Sequence, residues 1–193
     1  VSRLMADRGI SPADTHPHLA ATDEQLAAAK AVLPHRKSVI MMGVGCTGEE
    51  RRWAPEHFAT VIRWIVTHFP HLHIVLCGSP DERVIGDRIM NHLGEAPPQV
   101  QLVFDQSIGV VVGLHQLAKL YIGNDTSLIN IAAATGLRAI RIYASLLPVL
   151  DSNLIASLWP EDPNRIGVPG SINDITPDRV IALARPYLDT ASS

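Results

Sequence analysis

A chain of 193 residues that is 47% hydrophobic and only 18% charged can fold around one substantial core, which excludes an intrinsically disordered segment. Its formal net charge of −3 removes the basic surplus that nucleic acid or an anionic membrane attracts. No apolar run reaches the roughly 18 residues of a membrane span, no stretch reads as a secretory signal, and two distant cysteines, Cys46 and Cys77, suit a reduced, cytoplasmic setting better than a disulfide.

Residues 1–21 read as a linker leading into one domain over 22–193, and the chain reads as part of a longer protein. Thr22-Asp23-Glu24 is a helix start, and the helical pattern runs to about Leu33. Residues 37–43 (KSVIMMG) form a first strand. Residues 55–69 follow as a helix with Pro in its first turn and apolar spacing of three and four. The second strand is 72–78 (LHIVLCG), the second crossover helix 81–93, and the third strand 100–104 (VQLVF). A helix over 109–120 is weakened by its glycines and valines. Strands four and five are 120–123 and 139–144, with a short helix from about Thr126 to Thr135 between them. After Leu150 the pattern loosens into a Pro/Gly-rich loop, and a last helix spans 176–189. Apolar strands alternating with amphipathic helices predict an α/β, doubly wound, Rossmann-like parallel sheet.

In such a sheet, ligands sit beyond the carboxyl ends of the strands. Three loops lie there: GVGCTGEERRW after strand one, CGSPDER after strand two and GNDTSL after strand four. The first offers Gly43, Gly45, Thr47 and Gly48, then Arg51 and Arg52. Glycines let amides approach an anion, and an arginine can grip it with two hydrogen bonds. The spacing matches G-x-G-x-x-G, but a long loop follows instead of an immediate helix, and no Gly-Lys-Ser/Thr of a phosphate loop is present. A flexible surface loop with solvated arginines explains it equally well. In the second loop, Asp81 and Glu82 suit either ribose hydroxyls or simple charge complementarity at a helix start. In the third, Asp125 or Thr126 caps the helix, and the free amides of Thr126, Ser127 and Leu128 offer an anion site. Nine scattered histidines show no metal-ligand spacing.

Taken together, RRWAPEHFATVIRWI, IVLCGSPDE and LYIGNDTSLINIAAATGLRAIRIYAS resemble segments of the ADP-heptose:lipopolysaccharide heptosyltransferases and their relatives, glycosyltransferase family nine. The closing INDITPDRVIALARPYL is similar to that family's last helix. The likeness covers roughly residues 30–190 and implies the donor-binding half of a two-domain glycosyltransferase B architecture. An N-terminal acceptor domain would carry the catalytic base and is expected outside this chain, which alone would bind donor without turnover.

By position, the resemblance implies Arg51 on the donor diphosphate, Thr47 and Gly48 along the phosphates, and Glu82 on the ribose. It sets Asp125, Thr126 and Ser127 against the diphosphate and sugar. Asn130 stands where the family carries His, and Ser127 where it carries Gly; Tyr143-Ala144-Ser145 replaces the usual Phe-Gly-Pro/Ser. These departures imply changed sugar specificity or activity. The partners implied are a nucleoside-diphosphate sugar and a glycan or glycolipid acceptor, with peripheral contact of the full-length protein at the inner membrane face. No cofactor is implied, and the Asp-x-Asp metal motif does not occur. Two other readings compete: a non-catalytic binding or scaffolding module, and a dinucleotide-binding oxidoreductase domain. Cys77, standing where an oxidoreductase has an acidic residue at the end of strand two, opposes the latter.

Overall fold

The computed structural model describes residues 17–33, 38–146 and 152–189. Six parallel strands form one sheet: β1 (Val39–Gly43), β2 (His73–Cys77), β3 (Val100–Val103), β4 (Ala118–Asn124), β5 (Ala139–Ile142) and β6 (Ile155–Leu158). Their order is β3-β2-β1-β4-β5-β6. The order reverses between β1 and β4, so the crevice of a doubly wound sheet opens there. β1 pairs in register with β2 from Val39↔His73 to Gly43↔Cys77, and with β4 from Ile40↔Leu120 to Gly43↔Gly123. Glycines therefore face each other across the switch point at the carboxyl end.

The helices are α1 (Asp23–Val32), α2 (Pro55–His68), α3 (Arg83–Leu93), α4 (Ile108–Leu117), α5 (Ser127–Ala134) and α6 (Pro177–Asp189). One face of the sheet buries Ile40, Met42, Ile74, Leu76 and Ile122 with Phe58, Ile62 and Ile89 of α2 and α3 and Val180 and Ala184 of α6. The other buries Met41, Val75 and Tyr121 with Ala29, Leu114 and Ile129 of α1, α4 and α5. Both faces are covered, which is why β1 is buried at all five positions and its sequence shows no polar alternation.

The expected elements form within a few residues of their sequence-read bounds. Thr22 closes the anticipated cap on α1 in reciprocal fashion: its side chain accepts from the Gln25 amide and the Gln25 side chain accepts from Thr22 N. The sixth strand was not anticipated. Ile155–Leu158 is a four-residue edge strand, half-buried throughout, too short for its pattern to stand out from the Pro/Gly-rich loop that follows. Most of the segment read as a linker, 1–16, lies outside the described residues. Leu19 and Ala21 dock on the domain, donating to the Ala134 carbonyl at 2.8 Å and to Gln116 Oε1 at 2.9 Å.

Candidate functional site

The loops after β1, β2 and β4 meet at the carboxyl edge around a cavity of about 620 Å³. Thr47, Arg51, Glu82, Asp125, Thr126 and Ser127 all line it. Six of the eight residues singled out in the sequence are thus brought together by the fold. Gly48 and Asn130 are not among its walls. Gly48 is exposed with φ +90°, a backbone conformation that glycine adopts without strain, so its role is to turn the chain into the 3-10 segment Glu49–Arg51. Asn130 sits exposed on α5.

Thr126 is the N-cap of α5: its hydroxyl accepts from the Leu128 amide at 3.3 Å. That leaves Asp125 to another partner. Its carboxylate is 3.5 Å from the Arg141 guanidinium, which is almost wholly buried and also donates to Ser157 Oγ at 3.0 and 2.8 Å. Arg51 curls back, donating from Nε and a terminal nitrogen to the Thr47 carbonyl at 3.0 and 2.6 Å. Glu82 accepts from the Ser79 amide at 2.8 Å. A Cβ on Gly45 would run into the Glu82 carboxylate, so glycine at 45 is what lets the first and second loops close on each other. Capping is therefore real at both Glu82 and Thr126, and neither role removes the residue from the cavity wall.

Beneath these loops lies Asn124, wholly buried at the end of β4. It accepts from the Trp53 amide at 3.1 Å and donates to the Val44 and Gly45 carbonyls at 2.9 and 3.1 Å. Trp53 Nε1 in turn donates to the Ile175 carbonyl at 2.8 Å, and the Ala54 amide to Asn173 Oδ1 at 2.8 Å. Sequence reading missed Asn124 and Arg141. Each left a signal: a polar residue inside an otherwise apolar strand buried on both faces must find a buried partner.

A second cavity of about 260 Å³ adjoins the first, with Glu50, Tyr143, Ser145 and Val168 on its walls. Cys46, Arg51 and Asp125 border both cavities. Burial pushes the Cys46 thiol up, partly offset by Arg51 and Arg52. Burial pushes the Cys77 thiol to about 12, so no thiolate forms at the end of β2.

A family model described as "Glycosyltransferase family 9 (heptosyltransferase)" matches residues 4–151. The chain belongs to glycosyltransferase family 9. No curated protein matches it significantly by sequence. Among solved structures, it resembles a glycosyl transferase family 9 protein from Veillonella parvula at 18% identity and TM-score 0.79, with 98% of this chain and 59% of that one covered. E. coli ADP-heptose lps heptosyltransferase II matches at 20% identity and TM-score 0.78, covering 92% of this chain and 55% of that one. E. coli heptosyltransferase WaaC with ADP matches at 20% identity and TM-score 0.61, over 86% of this chain and 49% of that one. The chain thus spans between 49% and 59% of the length of these three structures.

These likenesses confirm the glycosyltransferase B type of α/β fold for this family 9 chain. They extend over most of the chain, beyond the residues matched by the family model. No helix among the described residues is long and apolar enough to cross a membrane.

Proposed function

We propose that this chain is the donor-binding domain of a glycosyltransferase that moves a heptose-like sugar from a nucleoside diphosphate to a cell-envelope glycan such as lipopolysaccharide. One observation carries the reading. The capped N-terminus of α5 faces Arg51 and Glu82 across a single cavity at the sheet's switch point.

The chemistry suits that arrangement. As the glycosidic bond breaks, negative charge grows on the departing diphosphate. The Leu128 amide, expected to be free, is taken by the Thr126 hydroxyl, so the charge is left to the amides of Thr126 and Ser127 and to the helix dipole behind them. Arg51 borders both cavities and can leave the Thr47 carbonyl to grip a phosphate with two hydrogen bonds. Groups fixed in advance where charge develops stabilise the transition state more than the ground state. Glu82 is a hydroxyl acceptor of the kind a ribose needs, and Thr47 and Ser127 complete the phosphate wall. ADP-heptose, the donor in the name of E. coli ADP-heptose lps heptosyltransferase II, is the first nucleotide sugar to test.

Residues 22–193 form the donor domain in this reading. The acceptor-binding domain and the catalytic base lie outside it, and the full-length protein works in the cytoplasm at the inner face of the membrane.

Titration calorimetry with ADP, UDP and GDP tests the proposal. Binding in the micromolar to millimolar range by at least one, weakened by Arg51→Ala and by Asp125→Ala, is the expected result. Silence with all three would support a scaffolding module instead, and heat with NAD alone would support the oxidoreductase reading.

A further inference from the structure

Tyr121 is the largest polar side chain sealed inside the α1/α4/α5 face of the core. Its ring stacks on His115 at 5.6 Å, and its side chain runs along β4 toward the carboxyl edge. There its hydroxyl lies over the two glycines that face each other across β1 and β4. A Cβ on Gly43 would collide with the phenolic oxygen, and one on Gly123 would come within 2.7 Å of it. Gly43 of β1 leaves room for this atom, and Gly123 of β4 leaves room both for it and for the Gly43 carbonyl.

No hydrogen bond of full geometry reaches that oxygen among the described residues, although Thr126 lies within hydrogen-bonding reach of it. A buried, unsatisfied hydroxyl costs about 1–3 kcal/mol. Phenylalanine would fill the same space without that cost, so packing alone does not account for the tyrosine. Thr126 is the side chain that approaches the hydroxyl and partly offsets the effect of burial on it. Burial otherwise holds the phenol well above its usual pKa.

A threonine hydroxyl has two acceptor lone pairs and one proton. The Leu128 amide occupies one lone pair of Thr126. We propose that the Tyr121 hydroxyl occupies the other when a diphosphate draws on Thr126, leaving the single Thr126 proton to point into the cavity at a phosphate oxygen. Tyr121 is then a positioning residue: it never touches the ligand, and it orients and polarises the hydroxyl that does. The inference rests on the donor-site reading above.

Calorimetry with ADP and with inorganic pyrophosphate, on wild type and Tyr121→Phe, tests it. The variant should bind both about three- to tenfold more weakly, the worth of one neutral hydrogen bond. Its melting temperature without ligand should be unchanged or higher. In a Thr126→Val background, Tyr121→Phe should have no further effect; in a Thr126→Ser background its effect should persist. Equal affinities for wild type and Tyr121→Phe would overturn the inference while leaving the donor site intact. So would a loss seen with ADP alone, or one additive with Thr126→Val. Failure of the wild type to bind either probe would instead bring down the donor-site reading itself.

Discussion

The carboxyl edge of the sheet contains two regions built on opposite terms. Beneath the loops, Asn124, Trp53 and Arg141 are buried, and every one is tied to backbone or side-chain partners from distant parts of the chain. Around the cavity, Arg51, Thr126 and Ser127 are partly or fully exposed, and the Arg51 guanidinium and the Thr126 cap bond to neighbours within four residues. The lower region fixes where the loops run. In the proposed function, the upper one lets side chains exchange a local partner for a ligand. Mutations in the first should therefore act on stability, and those in the second on binding.

The largest effect is expected at Asn124. Asn124→Ala strands the Trp53 amide and the Val44 and Gly45 carbonyls in a dry interior. Each abandoned buried group costs about 1–3 kcal/mol, so a loss of about 3–5 kcal/mol is expected in urea denaturation. A loss below about 1 kcal/mol would mean that water reaches this layer, and the division between the two regions would collapse.

Much of this division was legible in the sequence, and unevenly. Five strands and six helices showed themselves because a sheet covered on both faces needs unbroken apolar runs, and its helices need one apolar stripe each. The switch-point loops were legible because glycine and charge gather at the carboxyl ends. The supports were not. Asn124 looks like part of a polar turn, and only the packing of β4 beside β1 reveals that it reaches Val44, 80 residues away. Arg141 reads as an interruption in Ala-Ile-Arg-Ile until β6, itself unanticipated, supplies Ser157. Local pattern carries local structure, and these contacts are long-range.

The binding side should answer differently. Arg51→Ala removes a guanidinium whose own partner is one carbonyl four residues away, so stability should change by no more than about 0.5 kcal/mol. Affinity for a nucleoside diphosphate should fall by about 1.5–3 kcal/mol, the range for hydrogen bonds to a charged group. Arg51→Lys should fall between the two, since it keeps the charge and loses the paired geometry. A variant that loses stability and affinity together would show that Arg51 belongs to the lower region.

Acid should weaken the folded core through its buried histidines. Burial lowers the pKa of His115, against the small opposing effect of the Val111 carbonyl that its Nδ1 meets at 2.8 Å; burial also lowers that of His57. The unfolded chain, with ordinary histidines near about 6.5, binds protons first as pH drops. Stability from these groups is therefore complete above about pH 6.5 and is lost as pH falls toward the depressed folded values, by at most about 1.4 kcal/mol per pH unit for each. His115→Phe should flatten the decline measured in melts between about pH 7 and about pH 5. An unchanged slope would assign the acid sensitivity elsewhere.

The smallest effect is expected at Asn130, and it separates the family's pattern from this chain's geometry. The family resemblance sets Asn130 in place of a donor-site histidine, yet Asn130 is exposed on α5 and outside the walls of the cavity that Ser127, one turn earlier, lines. Asn130→Ala should shift diphosphate affinity by less than about twofold and, because alanine is the better helix former, raise stability by a few tenths of about 1 kcal/mol. Ser127→Gly in parallel removes a side chain from the wall itself and should change affinity more than Asn130→Ala does. A fall of more than about fivefold for Asn130→Ala, the loss of a hydrogen bond worth about 1 kcal/mol, would mean that α5 turns its outer face to the donor when one binds. The boundary between the two regions would then shift by a helical turn, with Asn130 joining Arg51 among the groups that move from a resting position onto the ligand.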